Sequence, residues 1–317
     1  MDTSNVPLVG SSLRNARLNR SISLLLAAAS CSAASFSPVA AQVSLTADAG
    51  DIVAANLSGN TVSLHDGATG AYLGNLVTPG SGGLSNPTGV TFGLDGFLYV
   101  SSSATHQVLR YDGTTGAFLD VFVSDSLLRT PFSLAFGPSG DLFVSSGSQH
   151  EVRRYDGASG EFLGVAASGG GLRQPIGLAF DAEGLLYVAN SGGGNVLRFD
   201  PGTGESLGVV ASDSLRYPSD VAFGPDGDLF VSSAASSAIV RFDGTSGRVR
   251  AVLKLPSGAV PVGVAFGADG RLRVADFGRN RLFGFEPGST DVTLLSDSGL
   301  AGPENIAIKK ETVEEDL

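Results

Sequence analysis

Six prolines recur at nearly equal intervals along this chain, and each opens a similar stretch of sequence. The steps between them are 44, 44, 43, 43 and 42 residues. A strict period in this range is typical of a repeat architecture, in which each repeat forms one unit of supersecondary structure. The prolines that set the period are Pro87, Pro131, Pro175, Pro218, Pro261 and Pro303.

Each repeat contains four short apolar runs separated by turn residues. In the repeat that begins at Pro175, the first run ends at Phe180, the second is Leu186 to Val188, and the third ends at Phe199. Short runs of β-branched and aromatic residues bounded by Gly, Pro, Asp and Ser predict strands joined by tight turns. Four strands in a repeat of this length predict one blade of a β-propeller.

The two ends of the chain share one repeat. The segment from Asp51 to Ala54 matches the second strand of a blade, with no first strand before it. A segment that matches a first strand appears at Pro303 to Ile308. Pairing these two segments would cover sheet edges that are otherwise exposed. The sequence therefore predicts an all-β, six-bladed β-propeller over residues 42–308, closed by a C-terminal strand that completes the N-terminal blade.

The blades resemble those of NHL-repeat six-bladed propellers. The resemblance rests on Pro-x-Gly-Val-Ala-Phe followed by Asp-Gly-x-Leu-Tyr-Val-Ala-Asn/Asp and then by x-Val-x-x-Phe-Asp, which is clearest at 175–200 and 261–286. It covers nearly all of the chain after residue 50, although the Asn-His pair of the family is degenerate here. The resemblance implies that ligands bind on the face formed by the loops between strands two and three and between blades.

The termini and the charge restrict location and partners. Three arginines precede an apolar stretch from Ile22 to Ala34, and small residues end at Ala41, so residues 1–41 predict a cleaved signal peptide and a secreted or periplasmic protein. A lipid anchor at Cys31 is the open alternative. Residues 309–317 predict an acidic solvated tail.

The net charge of −11 argues against nucleic acid as a partner. The apolar stretch near the N-terminus is too short to span a membrane.

A ring of small polar residues follows the second strand of every blade. Asn56, Asn190 and Asp276 belong to it, and Ser occupies the other three positions. Such residues hydrogen-bond readily to neighbouring loops. They can also coordinate a ligand, a water or an ion near the channel mouth, and both interpretations stay open.

The two residues after each repeat proline form a second ring. Glu304 is the one carboxylate at the first position, and Asp220 and Asn305 lie one residue further on, where strand alternation predicts the opposite face. The lactonases of the regucalcin type hold a divalent ion near this level, and these residues do not reproduce that set. Phe132, Ile176 and Val262 at the same level predict an apolar channel mouth.

His106 and His150 occupy equivalent positions in neighbouring blades, so they lie on one face. Two imidazoles there can share a zinc ion. The equivalent residues in the other blades are Asn, Gly and Ser, which favours the alternative that the position serves a turn. His65 replaces the aromatic residue of a third strand and is expected to pack inside a blade.

Three arginines precede the repeat proline by two residues in three consecutive blades: Arg129, Arg173 and Arg216. Guanidinium groups on one arc of the loop face can bind a carboxylate or sulfate. The alternative is that each pairs with an acid of an adjacent blade and braces the propeller.

We expect from these observations a monomeric binding or scaffold propeller without enzymatic activity, which binds a protein or small molecule on its loop face and needs no cofactor. Arg129, Arg173, Arg216, Asn56, Asn190, Asp276, His106 and His150 are the candidate ligand-binding residues. The alternative is a lyase or lactonase of the virginiamycin B lyase or regucalcin kind with a divalent metal at the channel mouth. Its catalytic candidates are Glu304, Asp220 and Asp276.

Overall fold

The structure is a computed structural model that describes residues 45–311. These residues form six four-stranded antiparallel sheets, which are the six blades of a propeller. The prediction of an all-β six-bladed propeller is confirmed. The proposed signal peptide at 1–41 and most of the acidic tail lie outside the described residues.

Each blade begins with an innermost strand that starts at its repeat proline. With strands numbered in chain order, the innermost strands are β4 (Pro87–Phe92), β8 (Pro131–Phe136), β12 (Pro175–Phe180), β16 (Pro218–Phe223), β20 (Pro261–Phe266) and β24 (Pro303–Ile308). The second strands are β1 (Ile52–Asn56), β5 (Leu98–Ser102), β9 (Leu142–Ser146), β13 (Leu186–Asn190), β17 (Leu229–Ser233) and β21 (Leu272–Asp276).

The third and outer strands complete the blades. The third strands are β2 (Thr61–His65), β6 (Gln107–Tyr111), β10 (Glu151–Tyr155), β14 (Asn195–Phe199), β18 (Ala238–Phe242) and β22 (Arg281–Phe285). The outer strands are β3 (Tyr72–Val77), β7 (Phe118–Val123), β11 (Phe162–Ala167), β15 (Ser206–Ala211), β19 (Val249–Lys254) and β23 (Val292–Ser296). Within residues 45–311, three short 3₁₀ turns interrupt the loops at Ser81–Gly83, Ser191–Gly193 and Ala234–Ser236.

Blade 1 is assembled from both ends of the propeller. Its sheet has the order β24-β1-β2-β3, and blades 2 to 6 follow as β4–β7, β8–β11, β12–β15, β16–β19 and β20–β23. In the pairing of β24 with β1, Ile308 lies opposite Ile52 and Ile306 opposite Ala54. Ile306 is buried and packs with Ile52, Ala54 and Leu282 of blade 6. The C-terminal strand therefore closes the ring through hydrogen bonds and through burial of apolar surface.

The apolar core lies between adjacent blades. One cluster joins Phe143 and Val152 of blade 3 to Leu178 and Leu186 of blade 4, and similar clusters occupy other blade interfaces. The second strands are buried along their whole length, because both of their faces contact a neighbouring blade. This explains why they are nearly continuous apolar runs in the sequence.

Each blade has the same orientation. The innermost strand starts on one end of the propeller, together with the loops between strands two and three and between blades; we call this end the loop face. The hairpin turns between strands one and two and between three and four lie on the opposite end, the turn face. Among residues 45–311, no helix is long and apolar enough to cross a membrane.

Candidate functional site

A cavity of about 270 Å³ opens at the loop-face end of the central channel. Residues from all six blades surround it, and most of the exposed lining is apolar. The lining residues are Thr88, Phe132, Ser133, Gln174, Ile176, Tyr217, Ser219, Asp220, Ala234, Val260, Val262, Phe277, Glu304 and Asn305. The expectation of an apolar channel mouth at Phe132, Ile176 and Val262 agrees with this geometry.

Consecutive residues of one strand reach the same cavity. The pairing of each innermost strand shifts register after its proline, as between Pro218 and Val221 in blade 5, so regular alternation is lost there. Ser219 and Asp220 both line the cavity, as do Glu304 and Asn305. The prediction that Asp220 and Asn305 lie on the face opposite to Glu304 was wrong, because a bulged strand does not keep the period of two.

Glycine alternates with larger residues at the second position after each repeat proline. These six residues, which we call the channel belt, are Gly89, Ser133, Gly177, Asp220, Gly263 and Asn305. A Cβ added at Gly177 would lie 2.4 Å from Cα of Asp220, and one at Gly263 would lie 2.7 Å from Cα of Asn305. Each glycine therefore makes room for the larger residue of the next blade.

Asp220 is buried at the centre of the channel belt. Its Oδ2 accepts hydrogen bonds from the backbone N–H of Val264 at 2.9 Å and from Nδ2 of Asn305 at 3.1 Å. Burial raises the pKa of Asp220 from 3.8 to about 7, although these hydrogen bonds oppose the rise. Asp220 thus links blades 5, 6 and 1 across the channel and fixes Asn305 beside Glu304.

Glu304 is half-buried in the cavity wall, and desolvation raises its pKa from 4.5 to about 7. Among the hydrogen bonds and ion pairs described for residues 45–311, none involves its carboxyl group. A free carboxyl group with a pKa near neutrality is present in both protonation states at pH 7. It can therefore accept a proton from a bound molecule and return it.

The donor set of the cavity does not fit a divalent metal ion. Only Asp220 and Glu304 supply carboxylates to it, and burial favours the protonated form of both. Within the described range, no group of three or more His, Cys, Asp or Glu side chains is placed to hold a metal. Hard cations such as Ca²⁺ and Mg²⁺ need several oxygen ligands, usually with ionised carboxylates among them.

The ring that includes Asn56, Asn190 and Asp276 ties each second strand to the loop entering its blade. Oδ1 of Asn190 accepts the N–H of Arg173 at 2.6 Å, and Oδ1 of Asn56 accepts the N–H of Ala301 at 3.1 Å. Oδ1 of Asp276 accepts the N–H of Val260 at 2.7 Å. Oδ2 of Asp276 is fully buried without a hydrogen-bond partner among the described residues. None of the three lines the cavity.

His106 and His150 hold the residues that precede the next repeat proline. Nδ1 of His106 accepts the N–H of Thr130 at 3.2 Å, and Nδ1 of His150 accepts the N–H of Gln174 at 3.0 Å. Asn60 and Asn280 do the same through Oδ1 in blades 1 and 6. Both histidines have a positive φ, of 59° and 57°, which is the conformation that a turn position requires. His65 is buried in blade 1, where its Nε2 lies 3.0 Å from Oγ of Ser63.

Arg129, Arg173 and Arg216 lie exposed on the loop face. Ser146, Asn190 and Ser233 accept their backbone N–H groups, so the backbone of each is anchored while its side chain extends into solvent. None of the three guanidinium groups takes part in an ion pair described for residues 45–311. The internal pairing that would make them braces between blades is therefore not seen.

Three of the residues directly before the repeat prolines, Gln174, Tyr217 and Val260, also line the cavity, and the sequence analysis missed them. Thr130, Gln174 and Tyr217 adopt positive φ values of 46°, 51° and 57° although none is glycine. Asn86 and Gly302 share this conformation, so it belongs to the turn before the repeat proline in five of the six described blades. The signal that could have found them is variation at one repeat position. We call the six residues at this repeat position the rim residues: Asn86, Thr130, Gln174, Tyr217, Val260 and Gly302.

Comparison with known proteins gives a family and a fold. The model of the virginiamycin B lyase family matches residues 79–291, more than half of the chain. No curated protein matches the sequence. Among solved structures, a catalytically inactive histidine-to-alanine variant of virginiamycin B lyase from Staphylococcus aureus, with quinupristin, is 16% identical with a TM-score of 0.61. The alignment covers 85% of this chain and 91% of that one.

Two further structures share the propeller. A nidogen/laminin complex contains a chain that is 15% identical with a TM-score of 0.69, covering 82% of this chain and 98% of that one. A streptogramin B lyase is 17% identical with a TM-score of 0.55, covering 82% of this chain and 78% of that one. At these identities the structural likeness shows the fold alone.

Proposed function

This chain belongs to the virginiamycin B lyase family, and from that premise we propose that it is a lyase whose substrate binds in the channel-mouth cavity. The alternative considered from the sequence is thus favoured over a binding module without activity. The observation that carries the proposal is Glu304, a carboxyl group in the cavity wall with a pKa near 7 and no described hydrogen-bond partner.

Elimination needs a base that removes a proton from the substrate. In the proposed step, ionised Glu304 takes a proton from carbon, the electron pair of the broken C–H bond forms a double bond, and the leaving group departs with its bonding electrons. The protonated Glu304 then returns the proton to the leaving group. The apolar walls at Phe132, Ile176 and Val262 exclude water, which would otherwise compete for the base.

The roles of Asp220 and the histidines differ in this proposal. Asp220 is a positioning residue, because its hydrogen bond to Asn305 fixes the strand that carries Glu304. The solved variant indicates that a histidine is needed for catalysis in that protein. Here none of the three histidines lines the cavity, and His106 and His150 hold the rim residues instead. The proposal therefore assigns the proton transfer to a carboxyl group and involves no metal ion.

Turnover of quinupristin by the full chain, followed by chromatography and mass spectrometry, tests the proposal. Glu304→Gln keeps the shape of the side chain but removes the base, so we expect activity to fall at least about a hundredfold. Asp297→Asn, at an exposed carboxylate on the same face, is the control and keeps full activity. For a cyclic substrate, elimination opens the ring without a change of mass, whereas a lactonase adds the mass of one water.

The dependence of kcat/KM on pH gives a second readout. A base with a pKa of about 7 makes kcat/KM rise up to that pH and then level off. Unchanged activity in Glu304→Gln, with the same pH profile, would contradict the assignment. A thermal-shift series with Mg²⁺, Ca²⁺ and Zn²⁺ is expected to leave the melting temperature unchanged, and tight binding of one ion would show that a metal site was missed.

Binding without turnover is the second candidate, and the apolar lining of the cavity favours it. The nidogen/laminin structure contains a propeller in a complex with a protein partner. If calorimetry shows quinupristin or related cyclic esters bound but unchanged, the chain is a binding module.

We further propose that the protein acts as a monomer outside the cytoplasm. Mass spectrometry of exported material tests this location, with cleavage near Ala41 as the expected result.

A further inference from the structure

The loop face carries guanidinium groups that the protein does not use internally. Arg110, Arg154 and Arg241, which lie on third strands, each pair with an aspartate at 2.5 to 2.6 Å. Arg129, Arg173 and Arg216 make no ion pair among those described and are exposed. In a chain with a net charge of −11, three unpaired cations on consecutive blades are available to a ligand.

These three arginines lie beside the cavity rim. Each directly precedes a rim residue, namely Thr130, Gln174 or Tyr217. Gln174 and Tyr217 line the channel-mouth cavity, and Thr130 and Gln174 line a shallower pocket of about 240 Å³ that shares Phe132 with it. The arginines themselves line neither pocket. Each lies next to a lining residue along the backbone, and a long arginine stem can carry its guanidinium group to a molecule that projects from the cavity.

The interior of the cavity sets the opposite requirement. Its lining is mainly apolar, and its carboxyl groups, Asp220 and Glu304, would repel an anion when they are ionised. A ligand that carries negative charge must therefore keep that charge at the rim and place an uncharged apolar part inside. Asp213 and Asp297 are also exposed on the loop face, and Asp213 precedes Arg216 by three residues. Asp213 therefore offsets part of the charge of Arg216, whereas Asp125, four residues before Arg129, is already paired with Arg153 at 2.9 Å.

We propose that the cavity takes an amphiphilic oxyanion, with its apolar ring system against Phe132 and Ile176 and its carboxylate or phosphate on Arg129, Arg173 and Arg216. Forked contacts from guanidinium groups suit the planar, multidentate oxygens of such groups. This inference goes beyond the proposed function, because it names a class of ligand that the loop face selects by charge. It concerns binding, so its success does not depend on Glu304 acting as a base.

Calorimetric titration with 2-naphthoate and 2-naphthamide tests the proposal, because the two compounds share a ring system and differ in charge. We expect the wild-type chain to bind 2-naphthoate about fivefold more tightly than 2-naphthamide at low salt, and the preference to vanish near 1 M salt. A parallel titration with 2-naphthyl phosphate shows which oxyanion binds more tightly.

Substitution of Arg129, Arg173 and Arg216 by Gln should abolish the preference while 2-naphthamide still binds, which also shows that the variant is folded. Arg248→Gln is the matched control, since Arg248 is exposed on the turn face and its guanidinium group makes no described ion pair. Phe132→Ala should weaken the binding of both compounds. The proposal is overturned if neither compound binds, if both bind equally to the wild type, or if Arg248→Gln removes the preference as fully as the triple substitution does.

The two proposals fail separately. Glu304→Gln should leave the preference for 2-naphthoate in place while activity is lost. If the chain prefers 2-naphthoate but shows no turnover, the anion site is supported and the lyase assignment is contradicted. A chain that turns over quinupristin but binds the two naphthalene compounds equally retains the lyase assignment and loses the anion site.

Discussion

Asp220 shows how one buried carboxyl group couples stability to pH. Its pKa is raised from 3.8 to about 7 by burial, so the folded state holds the proton more tightly than the unfolded state. The stability that this group contributes is fully present below pH 3.8 and is lost as the pH rises through about 7. The loss is on the order of 4 kcal/mol for a difference of about three pKa units.

The free energy of unfolding of Asp220→Asn should therefore gain on that of the wild type as the pH rises from 4 to 8. The amide keeps an oxygen that can accept the N–H of Val264 but cannot ionise. We expect the difference in unfolding free energy between variant and wild type, measured in urea, to shift in favour of the variant by several kcal/mol between these pH values. Asp297→Asn, at an exposed site, should show no such shift. A difference that is independent of pH would mean that Asp220 titrates normally in the folded protein.

The sequence alone identified only some of the side chains that form the candidate site. Glu304 was recognisable because it breaks the repeat, and the three arginines were recognisable because they recur on one arc. Strand alternation predicted opposite faces for Asp220 and Glu304, although the enzyme alternative named both, and the bulge that brings them into one cavity depends on the packing of six strands around one channel. The Asn, Gly and Ser residues at equivalent positions indicated that His106 serves a turn, but its hydrogen bond with the N–H of Thr130, 24 residues away, was not predictable from local sequence.

Among the structural elements, the innermost strands carry the tightest steric constraint. At Gly177 an added Cβ would lie 2.3 Å from Oδ1 of Asp220 and 2.4 Å from its Cα. Since the second of these atoms is backbone, a rotamer change cannot relieve the clash, and the strand of blade 5 would have to move.

Gly177→Ala should therefore destabilise the protein by about 1 to 3 kcal/mol or more, the cost of overpacking a well-packed site. Gly202→Ala is the matched control. Its added Cβ would meet only Oδ1 of Asp200, at 3.3 Å, and Gly202 lies on the turn face. We expect the control to change the unfolding free energy by less than about 0.5 kcal/mol. Equal effects of the two substitutions in urea titrations would show that the channel belt can relax.

The element boundaries follow from the sequence more closely than the site does. Every innermost strand begins at its repeat proline, where the missing N–H matters least, and the predicted third strand from Thr61 to His65 is the observed β2. These features are local, so composition and turn residues determine them. The hydrogen bonds from His106, His150, Asn60 and Asn280 to the residue before the next repeat proline join pairs of loops, so they can be identified only in the folded propeller.

For the whole molecule, closure of the ring depends on β24. A chain that ends at Gly302 loses this strand, which exposes the edge of β1 and the apolar contacts of Ile306. A chain that ends at Lys309 keeps the strand and the hydrogen bond from the N–H of Gly50 to the carbonyl of Lys309 at 2.7 Å.

We expect the shorter chain to lose cooperative unfolding and to melt at a much lower temperature, and the longer one to melt like the full chain. Calorimetry of the three chains measures this. If the chain that ends at Gly302 melted as one sharp transition at the wild-type temperature, β24 would not be the strand that closes the ring.

The alternation in the channel belt also restricts the number of blades. The blades with a larger belt residue are those that begin at Pro131, Pro218 and Pro303, and a Ser-Asp-Ser loop leads into each of them. The true period of the molecule is thus a pair of blades, with three pairs around the axis. A ring that gained or lost a single blade would bring two glycines or two larger residues side by side, leaving a gap or a clash. An odd number of blades would break the alternation. Duplication of blades in such a propeller would therefore have to add them in pairs.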